Sequence, residues 1–184
     1  DVTVTTPEDT AVDVSLIPKD APPADPSAPR TYQIVNGPSR GKLEGASGRY
    51  RYTPNANYFG TDRFTYRVEE RGLQSQPGTV TLTITPVNDP PVLVLPSDQP
   101  VTAGRLVRLP ISATDPDSDQ TLTLAAILPL PEGATFQRTR TDAGNLVWTP
   151  TANQLGTFTI RFSVTDSHDP PARVEGSFRL TVVR

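Results

Sequence analysis

The sequence predicts an all-β chain built as two tandem antiparallel β-sandwich domains. Three observations carry this: apolar and polar residues alternate in segment after segment, Pro and Gly clusters punctuate those segments, and the chain repeats itself once. In the first half the alternating segments are Val2-Thr3-Val4-Thr5, Val12-Asp13-Val14-Ser15-Leu16, Arg63-Phe64-Thr65-Tyr66-Arg67-Val68 and Thr79-Val80-Thr81-Leu82-Thr83-Ile84. In the second half they are Thr159-Ile160-Arg161-Phe162-Ser163-Val164 and Ser177-Phe178-Arg179-Leu180-Thr181-Val182. A period of two, made of β-branched and aromatic residues, sends one set of side chains inward and the other to solvent, as half-buried strands require. Turn residues at intervals of roughly eight to fifteen positions match the strand lengths of a sandwich.

The repeat sets the domain count. Residues 52–68 read YTPNANYFGTDRFTYRV and residues 148–164 read WTPTANQLGTFTIRFSV. Thr53, Pro54, Ala56, Asn57, Gly60, Thr61 and Val68 recur as Thr149, Pro150, Ala152, Asn153, Gly156, Thr157 and Val164, at an offset of about 96 residues, the length of one sandwich domain. Trp148, the single Trp, falls on the repeat position of Tyr52, so both are expected to be buried core anchors in equivalent sites. The final strands correspond after a shift of two, residues 80–84 against 178–182. Between the copies lies Thr85-Pro86-Val87-Asn88-Asp89-Pro90-Pro91, whose consecutive prolines stiffen a linker and cannot continue a central strand. The expected domains are 1–89 and 90–184, each with seven or eight strands and almost no helix.

Composition removes several function classes. Seventeen Lys and Arg against twenty Asp and Glu give a net charge of −3, which argues against a nucleic-acid binder, since that needs a basic face. Cys is absent, so disulfides, thiolate metal sites and Cys nucleophiles are excluded, and the lone His168 cannot build a His-rich metal site. No run of 18 apolar residues exists, so membrane insertion through a helix is not expected. Pro 21 and Gly 12 make up under a fifth of the chain, below the roughly 25–30% of low-complexity disorder. Asp1-Val2-Thr3-Val4 has neither the basic segment nor the apolar core of a signal peptide, and with no Met anywhere the sequence is expected to begin inside a longer chain.

The Pro-Glu-Asp-Thr opening, TPNANYFGTDRFTYRV and PVNDPPV resemble the cadherin-like tandem modules of large bacterial surface and secreted proteins. TDPDSDQTLTL, LPEGATF, GNLVWTPT and FSVTDS resemble the related bacterial putative-Ig modules of the cadherin and dystroglycan type. The resemblance spans essentially the whole chain. It implies two Ig-like/cadherin-like sandwiches that are extracellular or on a cell surface, non-catalytic, and placed among neighbouring modules of one long chain.

The strongest chemical signal is Asp115-Pro116-Asp117-Ser118-Asp119. Carboxylates on alternate residues repel unless solvent spreads them or a cation bridges them. Calcium takes six to eight oxygens in irregular geometry, but this is no EF-hand loop: Gln120 stands where that loop needs Gly and Ala126 where it needs Glu. The cadherin resemblance implies instead a calcium site at the junction of consecutive modules. Its matching residues here are Glu8, Asp89, Asp115, Asp117 and Asp166, with Asn88 and Asp119 as further oxygen donors. The pattern is incomplete elsewhere. Asn55 and Asn57 replace an acidic ligand, Glu70 stands at the position of Asp166, the loop of residues 20–25 lacks a clean Asp-x-Asp, and Ala103 stands at the position of Glu8. The competing reading is that Asp25-Pro26, Asp89-Pro90, Asp115-Pro116 and Asp169-Pro170 are ordinary turn starters.

Other candidates carry less. Ser167-His168-Asp169 has the residue types of a catalytic triad, but three consecutive loop residues do not converge as nucleophile, base and orienting acid must. Lys19 could serve an internal isopeptide only if buried, and its proline-rich surroundings argue against that. Tyr58-Phe59 is the best candidate for an exposed aromatic contact. The reading is therefore a non-catalytic extracellular module of a surface or adhesin-type protein, a spacer or adhesion segment rigidified by calcium, whose expected partners are its neighbouring modules and a cell-surface protein or polysaccharide. The alternative is a carbohydrate-binding accessory module of a secreted enzyme, which would expose coplanar aromatics on one sheet face.

Overall fold

The computed structural model describes residues 1–17 and 29–184, which form sixteen strands and no helix. Lys19 and the loop of residues 20–25 lie outside the described residues. The chain divides into two compact units, Asp1–Val87 and Asn88–Arg184.

Unit 1 contains β1 (Val2–Pro7), β2 (Val12–Ser15), β3 (Thr31–Asn36), β4 (Gly41–Ala46), β5 (Arg49–Pro54), β6 (Gly60–Glu70), β7 (Leu73–Gln74) and β8 (Gly78–Thr85). One sheet has the order β1-β8-β6-β3, with the short β7 also on β6; the other has the order β2-β5-β4. The inward side chains Val14, Tyr50, Tyr52, Phe64, Val80, Leu82 and Ile84 form the core between them. The β4–β5 hairpin closes on two residues, Ser47 and Gly48, with φ of 55° and 79°, and Ala46 pairs with Arg49. Two positive φ values make the type I′ turn whose twist suits a tight hairpin.

Unit 2 contains β9 (Val92–Val94), β10 (Gln99–Thr102), β11 (Val107–Thr114), β12 (Thr123–Ala126), β13 (Thr135–Arg138), β14 (Ala143–Trp148), β15 (Gly156–Thr165) and β16 (Arg173–Val183). Its sheets have the orders β10-β16-β15-β12 and β13-β14-β11-β9. The core is larger, with Leu124, Leu146, Trp148, Ile160, Phe162 and Leu180 almost fully buried.

The two units follow one path. Tyr52 pairs with Val12 on β2, and Trp148 pairs with Val107 on β11. Tyr52 is 0% and Trp148 1% exposed, so both are core anchors. Gly60 and Gly156 open β6 and β15 at φ of 125° and 122°, a conformation that strains any L side chain, which accounts for the glycine kept in both copies. Both units also contain a pairing that alternation does not reveal. β1 runs parallel to β8 and β10 parallel to β16, while the remaining pairs are antiparallel. The inward–outward pattern is the same for either direction of a partner strand, so it is silent on this point. No helix among the described residues is long and apolar enough to cross a membrane.

Candidate metal centre

In unit 2 the loop after β11 folds on its own carboxylates. Asp115 Oδ1 accepts the amide of Asp117 at 2.9 Å, and the Asp117 carbonyl accepts the amide of Gln120 at 3.1 Å. An aspartate that caps the backbone two residues on is the turn chemistry expected of Asp-Pro-Asp. Asp117 is turned inward, 6% exposed, and its Oδ2 accepts the amide of Asp89 at 2.9 Å. Asp166 follows β15 and is equally buried. Its Oδ1 accepts the amides of Ala172 at 2.9 Å and His168 at 3.2 Å, and its Oδ2 accepts Asn88 Nδ2 at 2.9 Å. Ser167 ties the two loops together: its hydroxyl donates to Gln120 Oε1 at 3.0 Å and accepts the amide of Thr121 at 2.9 Å.

Asn88, Asp89, Asp115, Asp117 and Asp166 are thus gathered within unit 2, with the exposed Asp119 close enough to be felt. Burial pushes the Asp115 carboxyl up from its ordinary value. The amide of Asp117 opposes this, and the like charges of Asp117, Asp166 and Asp119 add to it. Asp166 goes the other way. Burial would raise it, but hydrogen bonds from Asn88, Ala172 and His168, with the nearby His168 side chain, hold it below the usual carboxylate range. Two acceptors, Asn88 Oδ1 and Asp115 Oδ2, are buried without a hydrogen-bond partner. Leaving such an atom unsatisfied costs about 1–3 kcal/mol.

Glu8 belongs to unit 1. It is 3% exposed, its amide donates to the Thr85 carbonyl at 2.9 Å, and its Oε1 accepts the amide of Val87 at 2.7 Å. Among the described residues, no group of three or more His, Cys, Asp or Glu is placed so that it could hold a metal ion as it stands. Several of the carboxylate oxygens face N–H donors. The donor set itself, carboxylates and one side-chain amide oxygen, is nonetheless the kind a hard cation selects, and the two unsatisfied acceptors are what a cation would engage.

The remaining candidates resolve simply. Ser167, His168 and Asp169 are all exposed, and the Ser167 hydroxyl donates to Gln120 rather than to an imidazole. Glu70, at the position of Asp166, accepts Arg30 Nε at 3.1 Å. Phe59 is the one exposed residue among the described Phe, Tyr and Trp, and it sits in a loop rather than on a sheet face. Sequence reading missed Asp62, a buried carboxylate of unit 1 that binds five donors. The signal was present: Phe64 faces inward on β6, so Asp62, two residues earlier, must face inward too.

Two facing sheets with the same strand path in each half define a tandem of immunoglobulin-type sandwiches. A family model described as Putative Ig domain matches residues 90–183, just over half of the chain, and one described as Bacterial Ig domain matches residues 1–83. The chain belongs to the Putative Ig domain family through unit 2, while the match of unit 1 is to the Bacterial Ig domain model. Among solved structures it is similar to EC21-23 of human CDH23, at TM-score 0.60 and 18% identity, covering 98% of this chain and 72% of that one. It is also similar to PcdhgB3 EC1-4, at TM-score 0.62 and 17% identity over 99% of this chain and 47% of that one. Protocadherin Gamma B2 extracellular cadherin domains 3-6 match at TM-score 0.56 and 18% identity, over 98% and 45%. The chain therefore spans less than half of the two protocadherin structures. At these identities the likeness is one of fold. No curated protein matches.

Proposed function

We propose that the chain is a non-catalytic extracellular spacer or adhesion segment of a bacterial surface protein, and that calcium rigidifies it. The single observation that supports calcium most is the pair of buried, unsatisfied acceptors, Asn88 Oδ1 and Asp115 Oδ2, set among like-charged carboxylates. The ligands in this reading are Asp115, Asp117, Asp166 and Asn88, with Asp89 and Asp119, joined by Glu8 from unit 1. Glu8 Oε1 accepts the amide of Val87, the residue that precedes Asn88 in sequence. The cation would supply charge neutralisation and a cross-link between segments. The partners this role calls for are neighbouring modules of the same chain and a cell-surface protein or polysaccharide.

Calorimetry with and without calcium tests the reading. Millimolar calcium should raise the melting temperature of the chain. Asp117→Ala should remove the rise, because Asp117 is both a buried acceptor and the partner of the Asp89 amide. Asp142→Ala should keep it, since the Asp142 carboxylate pairs, among the described residues, with the exposed Arg140, an interaction worth about 0–1 kcal/mol, and its carbonyl bond to the Ala113 amide survives the substitution. A rise that persists in Asp117→Ala would refute the site.

A further inference from the structure

We propose that Asp62 is a positioning residue: through the Ser39-Arg40 loop and the turn at residues 55–58 it fixes the end of unit 1 at which Glu8 holds Val87. The carboxylate is 3% exposed. Its Oδ1 accepts the Ser39 amide at 3.0 Å, the Ser39 hydroxyl at 3.3 Å and the Arg63 amide at 2.8 Å. Its Oδ2 accepts the Arg40 amide at 2.8 Å and the Tyr52 hydroxyl at 2.9 Å. Charge-assisted hydrogen bonds are roughly twice as strong as neutral ones, so these donors, from a loop and two strands, are locked to one centre.

From that centre the contacts run outward. The Arg40 carbonyl accepts the Asn55 amide at 2.8 Å, and its guanidinium lies 5.4 Å from the centre of the Tyr58 ring. The Asn55 carbonyl accepts the Tyr58 amide at 3.2 Å, and the Tyr58 hydroxyl donates to the Thr61 carbonyl at 3.0 Å, next to Asp62, which closes a ring. Asn57, held inside that ring at φ 55°, donates its amide to Asp9 Oδ1 at 3.0 Å. Asp9 is adjacent to Glu8, which bonds Thr85 and Val87. Nearly every link is backbone or a short side chain, so little rotamer freedom is available to absorb a displacement.

Unit 2 supplies the internal comparison. Ala103 occupies the position of Glu8, because its amide donates to the Val183 carbonyl at 2.8 Å as that of Glu8 does to Thr85. Gly104 follows in place of Asp9, and its amide goes directly to the Pro150 carbonyl at 2.7 Å. Phe158 stands at the repeat position of Asp62 and packs on Trp148. Where the gripping glutamate is absent, the buried aspartate is absent too. The bearing of this device on function rests on the calcium reading, in which Glu8 is a ligand; the coupling itself does not.

The test is amide hydrogen exchange on the full chain with a chelator present, so that calcium plays no part. Asp62→Asn should speed exchange at the Asn57 and Val87 amides by tenfold or more, with the β1–β8 ladder within about threefold of the wild type. Tyr52→Phe removes one of the five donors and should give the same pattern at smaller amplitude. Faster exchange at Ser39 and Arg40 alone would overturn the proposal, because Asp62 would then anchor only its own loop. Uniform acceleration throughout unit 1 would also overturn it, in favour of a general stabilising role. Should Asp62→Asn fail to fold, Tyr52→Phe decides on the same terms.

Discussion

Tyr52 and Trp148 fill one repeat position with rings that need different neighbours. A buried phenol must donate its proton, and Tyr52 donates to Asp62; burial and the Asp62 charge both drive the Tyr52 pKa far up, so the phenol stays neutral. Trp148 sends its indole N–H to the Glu132 carbonyl at 3.1 Å and packs edge-on against Phe158, with ring centres 5.1 Å apart. The exchange of Asp62 for Phe158 gives the two units different acid responses at this position. Burial would raise the Asp62 carboxyl, but the hydrogen bonds from Ser39, Arg40, Arg63 and Tyr52 outweigh it and hold the pKa below its ordinary value. A carboxylate depressed in the folded state adds stability above its unfolded pKa of about 3.9, and that stability disappears as pH falls through the folded value. Unit 1 should therefore keep this contribution from neutrality to about pH 5 and lose it below about pH 4; Asp62→Asn should be less stable at pH 7 and show a flatter acid limb. All five tyrosines lie in unit 1 and the only Trp in unit 2, so tyrosine near-ultraviolet signals and Trp fluorescence follow the units separately during acid titration. His168 offers the opposite case. It is exposed and its hydrogen bond to Asp166 uses the backbone amide, which survives substitution. His168→Ala should shift unfolding free energy by no more than about 0.5 kcal/mol in a denaturant titration.

At the scale of strands, energy is concentrated where the repeat placed its aromatics. Trp148→Ala on β14 removes a ring that is 1% exposed and contacts Phe158, and such truncations cost about 3–5 kcal/mol. Denaturant titration should show unit 2 losing stability by that order while the tyrosine signal of unit 1 keeps its midpoint. The strands carrying these residues were legible because period-two alternation reports burial directly: Phe64, Leu82, Phe162 and Leu180 were inward by pattern and are buried. Other features left no local trace. The parallel pairing of β1 with β8 is decided by the path of the chain, not by either strand's own residues. The strand β9, Val92–Val94, is too short to show an alternating segment, and it pairs with β11 at the edge of its sheet, where flanking proline is tolerated. The acidic loop was legible as chemistry, since carboxylates on alternate residues demand an account. The donors that reach Asp117 Oδ2 and Asp166 Oδ2 are the Asp89 amide and Asn88 Nδ2, residues distant in sequence, and no spacing rule names them.

For the molecule as a whole, the proposed cation makes a demand that can be separated by unit. Extracellular calcium modules bind at roughly 10⁻⁴–10⁻³ M, so 1 mM calcium would stabilise the ligating state by about 0.4–1.4 kcal/mol through mass action. With a shift of about 4–8 °C per kcal/mol for domains of this size, the expected rise in melting temperature is a few degrees to about 10 °C. If the ligands lie in unit 2 alone, only the Trp148 transition should move. If Glu8 contributes as well, the tyrosine transition of unit 1 should rise with it, and X-ray scattering should show less independent motion of the two units in calcium than in chelator. Glu8→Gln separates the two cases. Glutamine keeps an oxygen that can accept the Val87 amide, so unit 1 should retain its fold, but it removes the charge that a hard cation selects. The variant should abolish the calcium response of unit 1 and the scattering change while leaving part of the response of unit 2. Scattering profiles that are identical in chelator and in millimolar calcium for the wild type would falsify rigidification by calcium and leave Asp115, Asp117 and Asp166 as the hydrogen-bonded turns they form without it.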